Sequence, residues 1–221
     1  MQMATCSIPD ESAPCARPGR REARREERRE AILDVAEASF LEHGYAGTSM
    51  SAIASTLGGS KGTLWSYFPS KDLLFGAVLD RVTNKFREQT RLVLTAAEPV
   101  SETLLRFCTT FIAKLTSPEA VALHRLVMGE SGRFPEVGRI FYERAPMRTQ
   151  ERIGEFLDAA MAAGRLRRAD PLHAAQALFA LCTARFQMPR LTGVCADPGE
   201  TDPRAEAEAA VDLFMRAYAP E

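Results

Sequence analysis

The sequence predicts an all-α fold, with a small N-terminal helix-turn-helix unit of three helices and a larger helical unit behind it. Three observations predict it. Apolar residues recur at helical spacing along nearly the whole chain. Gly and Pro fall at the ends of those runs, where helices start and stop. No stretch alternates β-branched residues as a strand would. About nine helices are expected.

The first helix opens near Glu22 and aligns Ile32, Val35, Ala36, Ser39 and Phe40. It stops at His43–Gly44, because glycine takes the left-handed conformation at little cost. Thr48 reads as the N-cap of the next helix, whose inner side carries Met50, Ile53, Ala54 and Leu57. Gly58-Gly59 ends that helix, and Ser60 caps a third with Leu64 and Phe68 inward. Pro69 stops it, and Ser70 caps a long helix from Lys71 to Thr95, with Asp72 suiting the helix dipole.

Beyond Pro99 the elements lengthen. Helices are expected from Ser101 to Leu115 and from Pro118 to near Glu130. A tract from Phe134 to Ala163 holds Pro146 as a kink or break. After Gly164, Asp170-Pro171 opens a helix reaching Gln187. The segment PRLTGVCADPGETDP reads as an exposed loop, and Arg204 to Tyr218 forms the last helix. The chain therefore divides into a disordered basic arm (1–21), a helix-turn-helix unit (22–70) and a helical unit (71–221).

Composition narrows the function. With 221 residues, 46% hydrophobic and 26% charged, the chain has the balance of a soluble globular protein. No apolar run approaches the roughly 18 residues of a membrane span. Met1 to Pro18 lacks a secretory pattern, so a cytoplasmic chain without membrane contact is expected. Cys6, Cys15, Cys108, Cys182 and Cys195 show neither zinc-ribbon nor CxxC spacing, and Cys108 and Cys182 read as buried small hydrophobes. The C-terminal histidines His124 and His173 are isolated, with no catalytic triad or metal-ligand spacing around them. No enzyme activity, metal or cofactor is expected.

Net charge is −1, which does not announce a nucleic-acid partner. Its distribution is more informative. Arg17, Arg20, Arg21, Arg24, Arg25, Arg28 and Arg29 form a run diluted by Glu22, Glu26 and Glu27. The run fits a solvated helix face, or an arm that reaches DNA.

The second and third helices, joined by a glycine turn, have the helix-turn-helix arrangement, in which the second helix enters the major groove. Leu64 and Phe68 share the inner face, leaving Lys61, Gly62, Thr63, Trp65 and Tyr67 on or beside the open one. Lys61 offers a point charge, Gly62 a close backbone approach, and Thr63 a methyl and a hydroxyl for a thymine or a phosphate. Tyr67 can donate to phosphate, and Lys71 begins a helix whose N–H groups attract one. The same residues could instead be core aromatics and solvated lysines in an αα-hairpin without a ligand.

The segment AILDVAEASFLEHGYAGTSMSAIASTLGGSKGTLWSYFPSKDLLFGAVL resembles the DNA-binding region of TetR-family transcriptional regulators. The likeness is a chain of spaced submotifs: F-x-x-x-G-Y, T-S-x-x-x-I-A, S-K-G-T-L-aromatic and Y-F-P-S-K-D-x-L. It implies a homodimer on a palindromic operator in double-stranded DNA. It places Thr48, Tyr67 and Lys71 at phosphates, and Lys61, Gly62, Thr63 and Trp65 at the groove. Three positions depart from the pattern. Gly59 replaces an apolar residue, softening the turn by roughly 1 kcal/mol of lost burial. Ser51 stands where a longer or basic side chain is frequent, so contacts from the second helix are expected to be weaker. Trp65-Ser66 replaces a pair of aromatics.

The tract LHRLVMGESGRFPEVGRIFYE also resembles the C-terminal domain of AefR-like members. The family resemblance implies a small-molecule effector pocket there. Large residues interior by periodicity are its candidate lining: Phe107, Phe111, His124, Met128, Phe141, Phe156, Phe179 and Cys182. The apolar surplus of the last two helices predicts that they build the dimer interface as a four-helix bundle. Leu178, Phe186, Ala207, Val211, Phe214 and Tyr218 are the candidate interface, and an intramolecular core accounts for the same stripes. The expected function is transcriptional repression relieved by an effector. The alternatives are an activator of the same fold, or a helical binding or enzymatic protein whose helix-turn-helix is only structural.

Overall fold

The structure, a computed structural model, describes residues 19–58, 61–94, 99–195 and 201–220. The described residues form eleven helices: α1 (Arg20–Gly47), α2 (Met50–Thr56), α3 (Lys61–Tyr67), α4 (Lys71–Leu94), α5 (Val100–Leu115), α6 (Pro118–Glu130), α7 (Pro135–Arg144), α8 (Pro146–Ala162), α9 (Pro171–Thr183), α10 (Gln187–Thr192) and α11 (Pro203–Tyr218). Two more are present than expected. One arises because Ala145, at φ −119° and ψ −78°, separates α7 from α8 just before Pro146. The other is α10, six residues long: the helix expected to reach Gln187 stops at Thr183, and α10 runs from Gln187 into the expected loop. Among the described residues no helix is long and apolar enough to cross a membrane.

Caps and prolines set the ends. Ser49, Ser117, Asp170 and Asp202 each accept a backbone N–H at a helix start. Ser70 accepts one from Leu73. Proline opens α6, α7, α8, α9 and α11, where its missing N–H has no helical partner to lose. The expected cap at Ser60 and the odd Gly59 lie outside the described residues, as do Cys6, Cys15 and Arg17. Arg20 and Arg21, assigned to the arm, already belong to α1.

Two apolar cores hold the chain. The body core joins α5, α8, α9 and α11 to Phe86 on α4. Cys108 and Cys182 lie inside it as free thiols. A hydrogen bond with Cys182, together with burial, holds the Cys108 thiol well above its ordinary range. The head core takes Ile32, Leu33 and Phe40 from α1, Ile53 from α2, Leu64 from α3, and Leu74 to Leu79 from α4. It also takes Leu123 and Val127 from α6 and Val137 and Ile140 from α7. The helix-turn-helix therefore shares one core with two helices that lie far along the chain.

The expected dimer stripes are inside a single chain. Leu178, Phe186, Ala207, Val211 and Phe214 are buried in the body core, and Tyr218 stacks on Phe214 at 4.5 Å. Side chains already covered by their own chain cannot also cover a partner. Any dimer face on these helices belongs to their outer residues.

Candidate nucleic-acid interface and effector cavity

The turn before α2 is built around Gly44, which breaks α1 at φ 73° and ψ 175°. That region is essentially glycine-only. A Cβ there would stand 2.7 Å from Glu130 Oε1, which accepts the Ala46 N–H at 3.1 Å. Tyr45 then turns inward. It stacks on Phe40 at 5.9 Å, meets Phe75 edge-on at 5.4 Å and tilts against Phe134 at 5.5 Å. Its hydroxyl donates to Asp72. Burial and that carboxylate push the phenol far above its ordinary range, so it stays neutral.

Thr48 requires a correction. It is 1% exposed, and its hydroxyl reaches Gly44 O at 2.8 Å and Ser39 O at 2.9 Å. It neither caps α2 nor faces a phosphate in this geometry. Two adjacent hydroxyl residues can both cap, and the one whose side chain clears the α1 turn does so: Ser49 accepts the Ala52 N–H at 3.1 Å.

Gly58, at φ 62°, makes the turn that leads to α3. Leu64 and Phe68 enter the head core, while Gly62 and Ser66 are exposed and Trp65 keeps 37% of its surface. Thr63 and Tyr67 are half-buried, and Ser51 on α2 is exposed. The Lys61 side chain lies outside the described part of the structure. Lys71 is not a loose charge. Its ammonium donates to Tyr45 O at 2.8 Å and Thr48 O at 3.2 Å, and sits 4.1 Å from the Tyr45 ring centre. Lysine has three N–H donors, so two holding the turn leave one free.

Part of the arginine run braces the same unit. Arg25 and Arg29 lie 6.0 and 5.7 Å from the ring centres of Tyr67 and Phe68, and Arg28 reaches Leu57 O at 3.5 Å. Arg81 ties α4 to α1 through Asp34 at 2.6 Å and through Glu37. These contacts to α1 pin the first turns of α4 to the head.

A cavity of about 340 Å³ lies between the two cores. Phe86, Phe111 and Phe179 face it from the body core, and Leu123 and Phe141 from the head core. That size suits a small organic ligand. Of the expected lining, Phe111, His124, Phe141 and Phe179 are present. Phe107 and Cys182 lie in the body core behind the wall, and Phe156 packs on that core away from the cavity. Met128 is 60% exposed, because Leu123 and Val127 take the inner face of α6.

The polar wall was missed from sequence. It comprises Thr83, Arg87, Arg144, Thr149, Gln150, Gln176 and Thr183, among others. Arg87 and Arg144 both bond Asp80. A polar cleft of about 400 Å³ adjoins, sharing Arg87 and Thr149 and lined largely by charged groups. Among the described residues no cluster of three His, Cys, Asp or Glu is placed to hold a metal ion.

A buried-faced α2–turn–α3 pair presenting an exposed aromatic helix, carried on a helical body, has the arrangement of a helix-turn-helix regulator. The comparisons specify it. The profile described as bacterial regulatory proteins, tetR family, matches residues 32–78. That of the AefR-like transcriptional repressor C-terminal domain matches residues 102–220. The chain belongs to the TetR family of bacterial transcriptional regulators.

A solved structure of a flavonoid-responsive regulator, FrrA, is 32% identical, with a TM-score of 0.74 over 89% of this chain and 99% of that one. A TetR-family regulator from Mesorhizobium loti is 28% identical, with a TM-score of 0.74 over 89% and 98%. The transcriptional repressor ComR of Escherichia coli is 36% identical over 76 residues, which span 34% of this chain and 36% of that repressor.

Proposed function

We propose that the protein is a homodimeric repressor, acting on an operator in the cytoplasm, that leaves DNA when a small aromatic molecule fills the cavity between head and body. The carrying observation is the face of α3. Its apolar side is anchored by Leu64 and Phe68, while Gly62 and Trp65 stand exposed with Thr63 and Tyr67 beside them. Lys61, Gly62, Thr63 and Trp65 are assigned to the major groove. Ser51, Tyr67 and the remaining N–H of Lys71 are assigned to phosphates.

Release follows from where the cavity lies. Helix α4 runs from the head core at Leu74–Leu79 to the body core at Phe86. A ligand between the cores binds best in the arrangement that makes room for it, and shifts the population towards that arrangement by its differential affinity. The relative described as flavonoid-responsive supports an aromatic effector for this chain.

Two copies are assigned to meet through the outer face of α11, where Ala205, Ala209 and Leu213 recur at four-residue spacing and are all exposed. The small side chains there allow two helices to approach closely.

Fluorescence anisotropy on fragments flanking the protein's own gene tests the DNA reading. Trp65→Ala, and Lys61→Ala with Tyr67→Ala, should each weaken binding at least about tenfold, given 1–3 kcal/mol per good contact. Wild-type affinity should fall steeply with salt. Unchanged affinity in both variants would sink the assignment of α3.

A further inference from the structure

The cavity's polar groups are unevenly committed, and the pattern names a ligand chemistry. His124 Nδ1 lies 2.7 Å from Ala120 O, and a carbonyl only accepts, so Nδ1 carries the proton. Burial lowers the imidazole's pKa and keeps it neutral. A neutral ring protonated at Nδ1 leaves Nε2 as a bare acceptor. Three threonines on the wall are in a similar state. Thr83, Thr149 and Thr183 donate their hydroxyl protons back to Leu79 O, Ala145 O and Phe179 O, leaving oxygens that can accept.

Two of the cations are committed the other way: Arg87 and Arg144 both turn to Asp80. Lys114 and the amides of Gln150, Gln176 and Gln187 add donors elsewhere on the wall. Between these groups the walls are aromatic. Phe111 and Phe179 lie 4.4 Å apart on one side, and Phe141 meets His124 edge-on at 5.1 Å on the other.

We propose that the effector is a neutral aromatic molecule bearing a hydroxyl donor, a phenol, whose O–H is accepted by Nε2 of His124. This rests on the cavity being the effector site. The aromatic body lies between the phenylalanines, and the threonine oxygens accept from further hydroxyls. A methyl ether or an aryl carboxylate offers His124 no proton and leaves its Nε2 without a donor.

Calorimetry on the full chain without DNA reads the cavity alone, so its outcome is separate from any failure of operator release. The probes are 2-naphthol, 2-methoxynaphthalene and 2-naphthoate, which share one ring system. Wild type should bind the naphthol about tenfold tighter than its methyl ether, the cost of leaving a buried acceptor unpaired, and tighter than the naphthoate. His124→Phe should erase the preference over the ether, which separates the hydrogen bond from the ether's bulk. His124→Met serves the same purpose if the Phe variant does not melt cooperatively. His124→Gln, which keeps an acceptor near the Nε2 position, should retain part of the preference. The proposal is overturned if wild type binds none of the three, if it prefers the naphthoate or the ether, or if a folded variant lacking the acceptor still prefers the naphthol.

Discussion

The Asp80 carboxylate on α4 accepts a hydrogen bond from Arg144, the last residue of α7. Arg144 lies so close over Gly76 that a Cβ there would meet its Nε at 2.8 Å. Arg87 and Arg148 converge on the same carboxylate, each at 3.4 Å. One negative charge thus joins the middle of α4 to the α7–α8 corner, beside the cavity.

Asp80→Asn keeps the shape of that junction and removes its charge. Both side chains are about a third exposed, so solvent screens the pair, and the loss should be about 1 kcal/mol. Urea melts at low salt should show it, and added salt should shrink the difference. No difference at low salt would assign the junction to packing alone.

Gly44→Ala tests the turn that carries the head. The backbone there excludes side chains, and the new methyl would also collide with Glu130. A loss of roughly 2–3 kcal/mol is expected from the strained conformation. Thermal melts should fall by several degrees. A melt like wild type would mean that the turn relaxes without cost.

His124 gives stability a defined pH dependence. Its folded-state pKa lies below the ordinary 6.5, because burial opposes the charged ring. The unfolded chain then takes up the proton first, so stability is complete above 6.5 and lost as pH falls below it. His124→Phe should flatten that loss between neutral pH and mild acid. Equal slopes in denaturant melts of both proteins would place the titration elsewhere.

Leu213→Arg puts a charge on the outer face of α11, where Leu213 is 54% exposed in the single chain. The folded protomer should tolerate it, with stability within about 0.5 kcal/mol of wild type. Light scattering after size exclusion should show monomers, and operator affinity should fall with them. A dimer that survives the change would assign the interface to another face.

Much of the head was legible because local chemistry decides it. Gly44 breaks α1 and Gly58 turns the chain after α2, both at positive φ, and Pro146 separates α7 from α8 for reasons internal to the backbone. The cap passed from Thr48 to Ser49 because the choice depends on Ser39 and Gly44 across the turn. Helix α10 escaped notice because six residues with a proline among them give too little periodicity. The cavity was half legible for a related reason. Phe107 and Phe111 sit one turn apart on α5, and only the position of the other helices makes one core and the other wall. Asp80 and Arg144 are 64 residues apart, a pairing that no local pattern announces.

Tyr45 and Phe134 touch across the head core, and that contact bears on how such regulators can be recombined. A chimera cut after Ser70 would give the transplanted reading head a foreign α4 and a foreign α6–α7 surface, with Phe40 and Tyr45 facing residues never matched to them. The portable module is discontinuous: α1 to the middle of α4, together with α6 and α7. Effector specificities should therefore graft more cleanly by replacing side chains on the cavity wall than by exchanging whole C-terminal segments.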